Sequence, residues 1–177
     1  PGHDVILNHR ANAFQKSAEA LYSLGEKEKA AVHLKKADQI YAEILAESEF
    51  EIITLFNRGV CAFKAGLYAT WDDLPAEAIV HFQLASESLT SAKNAAPLNP
   101  IINQKLADAS LAVALHQLEV DNVADAKRNL ELAVEFYNIA ENWKDDDRLM
   151  LFNRATAFLK LGEIEAREEQ GGRALWS

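Results

Sequence analysis

Leu55-Phe56-Asn57-Arg58 and Leu151-Phe152-Asn153-Arg154 are one block written twice, 96 residues apart, and each is followed by a lysine and a glycine, Lys64 and Gly66 or Lys160 and Gly162. Away from this block the period halves to 48. Ala30, Ala78, Ala126 and Ala174 stand 48 apart, and in step with them run Leu34, Phe82 and Leu130, then Ala37, Ala85 and Ala133, then Tyr41, Leu89 and Tyr137. Spacings of 4, 3 and 4 put small, large, small and large residues on one face of a helix. A second series, Ala11, Gly59, Ala107 and Ala155, lies seven residues ahead of Ala18, Gly66, Ala114 and Gly162. Seven residues are about two helical turns, so these small positions also share a face.

Each 48-residue unit therefore holds two helices, and turn residues fall between them. Leu24-Gly25-Glu26, Trp71-Asp72-Asp73-Leu74-Pro75, Asp121-Asn122 and Gly171-Gly172 mark turns inside units. Ser48-Glu49, Ala96-Pro97-Leu98-Asn99-Pro100 and Lys144-Asp145-Asp146-Asp147 mark turns between them. Pro75 suits a first helical turn with Asp73 ahead as a cap, Asp121 or Asn122 can cap the next helix, and the aspartate run reads as a capping turn. The pattern predicts seven helices near 4–23, 27–47, 50–70, 75–95, 100–120, 123–143 and 147–169. It predicts a single domain over 1–177, with units at about 4–47, 50–95, 100–143 and 147–177, the last incomplete.

Composition narrows the class further. Of 177 residues 49% are apolar and 25% charged, which supports a packed core, and no run approaches the roughly 20 apolar residues that span a bilayer. The reading is a cytoplasmic-type chain without membrane insertion. A net charge of −9 repels phosphate backbones, so nucleic acid is not the expected partner. Cys61 is the lone cysteine, which excludes an internal disulfide and a cysteine metal cage. It falls at a small position matching Ala13, Ala109 and Ala157 and reads as core. His3, His9, His33, His81 and His116 show no zinc-ligand spacing, and no glycine-rich phosphate loop follows a strand. The expectation is no enzyme, no metal and no cofactor.

The second unit, from Leu55-Phe56-Asn57-Arg58-Gly59 through Phe63-Lys64-Ala65-Gly66 to Ala78, Phe82 and Ala85, resembles a tetratricopeptide (TPR) repeat. Phe152-Asn153-Arg154-Ala155 through Lys160-Leu161-Gly162 is similar to the first helix of another. The family period is 34 residues, so 48 implies helices longer by about two turns. The resemblance implies an all-α, right-handed solenoid of antiparallel helix hairpins, TPR-like, with about seven long helices. It also implies a concave face lined by each unit's first helix, where a peptide lies.

Carried onto this chain, the family's inward positions are Asn57 and Asn153, with His9 and Lys105 at the same place in the other units. Two turns on come Lys16, Lys64 and Lys160, with Ala112 interrupting the column. Phe56, Phe63, Phe152 and Leu159 flank them. The strip suits an acidic segment or a peptide carboxylate bound by a non-catalytic adaptor or scaffold, whereas a solvated lysine face over a phenylalanine core is the plainer reading. A module holding a folded partner such as a small GTPase by its hairpin tips, near Trp71, or one that self-associates, are the alternatives. Arg10, Arg58 and Arg154 are expected to lay their stems across a neighbouring helix and meet a carboxylate. Trp143, at the end of the sixth helix, is read as plugging a hairpin end. Leu151, Phe158, Leu161 and Ile164 lack the cover that Leu34, Phe82 and Leu130 give earlier units. The chain is therefore expected either to continue in a longer protein or to form a homodimer through this end.

Overall fold

A computed structural model describes residues 2–47, 51–141 and 147–174 of the chain. The described residues form seven α-helices and no strand: α1 Gly2–Ser23, α2 Lys27–Glu47, α3 Ile52–Trp71, α4 Pro75–Ala95, α5 Pro100–Glu119, α6 Val123–Ala140 and α7 Arg148–Ala174. They gather into two compact units, Pro1–Pro97 and Leu98–Ser177. In the first, α1 packs on α2, α3 on α4, and α3 also on α2 and more lightly on α1. In the second, α5 packs on α6, and α7 lies on α6 and more lightly on α5.

The 48-residue register governs the backbone as well as the core. Gly25, Asp73 and Asp121 have φ of +80°, +58° and +59°, the left-handed conformation that ends a helix. Glu26, Leu74 and Asn122 then donate their N–H groups back to Leu21, Ala69 and Gln117, and their carbonyls accept from Ala30, Ala78 and Ala126. Three matching turns thus close one helix and open the next within a few residues. Aspartate tolerates positive φ better than most side chains, though less well than glycine. Two expectations are corrected here. Asp73 ends α3 rather than capping α4, whose N-cap is Leu74 with no side-chain bond. Asn122 holds the N-cap position of α6, but its side chain donates to Asp125 at 2.9 Å instead of accepting a backbone N–H.

The starts of α3, α5 and α7 are in register too. Glu51 accepts from the Thr54 N–H, Asn99 accepts from Ile101 and Ile102, and Asp147 accepts from Met150 at 3.1 Å. These bonds satisfy amide groups that a helix leaves unpaired at its start. Ser48, Glu49, Lys144, Asp145, Asp146 and Trp143 lie outside the described residues. A third correction concerns Gly171-Gly172, which make no turn. α7 runs through both to Ala174, because each glycine costs only about 1 kcal/mol in a helix interior and the preceding Glu163–Gln170 stretch is rich in helix formers.

The core matches the small-and-large pattern. Ala11, Ala18, Ala30, Ala37, Ala85, Ala107, Ala114, Ala126 and Ala133 have no exposed surface, and Leu34, Phe82, Leu130, Tyr41, Leu89 and Tyr137 are buried. Side chains at the last of these positions choose their partners by polarity. The Tyr41 hydroxyl donates to Asn12 at 2.8 Å, and the Tyr137 hydroxyl donates to Asp108 at 2.8 Å. In the intervening repeat Leu89 stands where the tyrosines do and Val60 where Asn12 and Asp108 do, so the pair is apolar together.

Candidate functional site

The lysines of the expected strip each meet a carboxylate. Lys64 and Lys16 both bind Glu19, the latter at 3.2 Å, and Lys160 binds Glu163 at 2.9 Å. Lys105 binds Asp108 at 2.9 Å, and the Asn153 amide donates to the same carboxylate at 3.1 Å. Asp108 is buried, so three donors from α5, α6 and α7, counting Tyr137, converge on one charge inside the second unit. That convergence satisfies a group that would otherwise be costly to bury. Burial raises the Glu19 carboxyl, but hydrogen bonds and charge from Lys64 and Lys16 outweigh it and hold Glu19 below the usual carboxylate range. Asn57, Phe56 and Phe63 are half-buried on α3, whereas Phe152 and Leu159 are exposed on α7. Within each unit the expected strip positions are therefore local ion pairs, with Phe56 and Phe63 half-buried on α3 and Phe152 exposed on α7.

The arginine column behaves as expected at two of its three positions. Arg58 Nε lies 2.7 Å from Asp38, tying α3 to α2, and Arg154 lies 2.5 Å from Glu141, tying α7 to the end of α6. Arg10 instead sits over the Phe14 ring at 5.9 Å.

Sequence reasoning missed a cleft of about 450 Å³ in the first unit. Its floor is α3, through Cys61, Ala62, Ala65 and Ala69, and its walls are α2, through Ala31, Leu34 and Lys35, and α4 with its N-cap Leu74, through Glu77, His81 and Leu84. The cleft exists because α2 and α4 both pack on α3 while small side chains on α3 leave the space between them unfilled. One end is closed by aromatic rings. Tyr22 and Tyr68 stack at 3.9 Å, and Trp71, still 62% exposed, leans on both at 5.6–5.7 Å. The Tyr22 hydroxyl donates to Asp72 at 2.9 Å and Lys27 binds the same carboxylate, so Lys27 above all holds Asp72 below the ordinary range. The rim thus carries Lys27 and Lys35 beside Asp38, Asp72 and Glu77 around an apolar floor. The signal that could have found it was the alanine run at 62, 65 and 69 on a helix required to touch two neighbours.

Cys61 closes the cleft floor without reactive character. Burial, helped by the charge of Asp38, pushes its thiol up to about 12, and its Sγ lies 3.6 Å from the Leu34 carbonyl. Among the described residues no three of His, Cys, Asp and Glu come together as a metal would require, and no helix is long and apolar enough to cross a membrane. No family model matches the chain, and no curated protein matches it.

Proposed function

We propose that this protein is a non-catalytic protein–protein interaction module, an adaptor or scaffold built as a TPR-like, right-handed solenoid of antiparallel helix hairpins. Its ligand is a peptide segment of a cytoplasmic protein partner. The observation that carries the reading is the cleft over α3, which offers an apolar floor, a rim of both charges and an aromatic end. Apolar side chains of a short helix or extended segment fill such a space, and the rim fixes direction. Lys64 on α3 supports a weaker selection for acidic segments, since a ligand carboxylate there competes with Glu19.

Ala31 tests this reading because it lines the cleft from α2 and is exposed. Peptides selected from a random library against the chain should lose binding by at least tenfold, about 1.4 kcal/mol, in Ala31→Trp, which fills the cleft. Lys64→Glu should weaken the same peptides by less than that. Unchanged affinity in Ala31→Trp with an unchanged melting temperature contradicts the assignment.

A further inference from the structure

α7 repeats α3, yet the face that α4 covers on α3 is bare on α7. Leu55 is 8% exposed and Ala62 5%, whereas Leu151 is 43% exposed and Phe158 48%. α4 covers α3 by placing large side chains on small ones. A methyl added at Gly59 would lie 2.5 Å from Leu89, one at Gly66 would lie 2.5 Å from Phe82, and one at Gly162 would meet nothing within 4 Å.

A helix like α4 does not suit α7, because α7 departs from α3 at two positions on this face. Phe158 replaces Ala62, and Glu165 replaces the buried Ala69. The first suits a small residue opposite it and the second suits a cation. α7 carries both itself. If two α7 helices lie antiparallel with the two-fold axis between residues 156 and 157, Leu151 of one copy falls on Gly162 of the other, and Phe158 falls on Ala155. Large meets small at the same seven-residue step as Phe82 on Gly66 and Leu89 on Gly59. In that register Glu165 of each copy comes opposite Arg148 of the other. Arg148 and Glu165 are both exposed. The neighbouring face, about 100° round the helix through Met150, Ala157 and Ile164, is already buried within the second unit.

We propose that the bare face of α7 is an isologous interface with a second copy of this chain, formed by antiparallel α7 helices with Leu151 over Gly162, Phe158 over Ala155 and Glu165 against Arg148. A two-fold contact is closed by symmetry, so it yields a dimer and not a fibre. It also removes exposed Leu151 and Phe158 from water.

Sedimentation equilibrium from about 1 to about 500 micromolar, a range that brackets a modest interface, tests it. The chain should pass from one to two chain masses, and Phe158→Glu should raise the dissociation constant at least tenfold, with helicity unchanged because the side chain is half exposed. Arg148→Glu and Glu165→Arg should each weaken the dimer about threefold or more, and the double variant should restore it, since both reversed charges still meet across the axis. A single chain mass at every concentration overturns the proposal and assigns the face to a helix of another protein or of a longer chain. A dimer indifferent to Phe158→Glu, or a double variant no better than its singles, overturns it as well.

Discussion

α3 and α7 share the block Leu-Phe-Asn-Arg and the same small positions, yet one is a core helix and the other presents half of that core to solvent. The difference lies in the chain beyond each glycine. After Trp71, the turn through Asp73 returns the chain as α4 and lays Phe82 and Leu89 on Gly66 and Gly59. After Gly162, α7 continues straight through its glycines to Ala174. Small residues shared at Gly59 and Ala155 and at Gly66 and Gly162 therefore do not fix burial, which depends on the large side chains delivered against them. The two helices are also tied down differently on their other side, α3 by Asn8 on Thr54 and Glu19 on Lys64, α7 by the buried Asp108.

The largest effect expected concerns that anchoring. Asp108→Ala should destabilise the second unit by about 3–5 kcal/mol in urea unfolding, because it leaves Tyr137, Lys105 and Asn153 without their shared acceptor. Asp108→Asn should cost much less, since Asn12 already accepts from Tyr41 at the equivalent place in the first unit. Equal losses in the two variants would mean that the charge of Asp108, not its role as a hydrogen-bond acceptor for Tyr137 and Asn153, stabilises the unit.

Glu19 provides the corresponding test for α3. Its folded carboxyl is depressed below the ordinary 4.5, so above that pH the ion pairs contribute fully, and the contribution is lost as pH falls through the lower folded value. Glu19→Gln should therefore cost no more than about 1 kcal/mol near neutral pH, and it should lessen the drop in stability on acidification through the carboxylate range. A parallel pH profile in variant and parent would mean that Glu19 does not tie α3 down. Smaller still is the turn that brings α4 back. Asp73→Gly should stabilise by about 0.5 kcal/mol in thermal melts, because glycine adopts φ of +58° freely, whereas Gly25→Ala should destabilise by about 1 kcal/mol.

The helices and their core were legible in the sequence because packing demands a period, and Ala30, Leu34, Ala37 and Tyr41 repeat theirs in residue type as well as spacing. The turns were legible in place but not in mechanism. Aspartate is a common helix cap, and nothing in Asp73 alone says that it instead adopts a left-handed conformation. Gly171-Gly172 misled for the converse reason, since glycine permits a turn without requiring one. The partners of the strip residues were only partly legible: Glu19, Asp108 and Glu163 follow Lys16, Lys105 and Lys160 by three residues on the same helix, whereas Glu19 lies on a different helix from Lys64, and Asp108 from Asn153. The cleft was invisible to periodicity, being a space left between α2 and α4 and not a pattern along either.

The most direct measurement replaces the same residue at the same repeat position in both helices and compares the melts. Gly66→Ala should lower stability by about 1–2 kcal/mol, because the new methyl meets the buried Phe82 ring at 2.5 Å. Gly162→Ala, melted at concentrations too low for two copies to pair, should raise it by about 0.5–1 kcal/mol, because the uncovered helix of a single chain gains propensity and the methyl meets nothing. Opposite signs are the result expected if cover by large side chains separates α3 from α7, and two shifts of the same sign would contradict it.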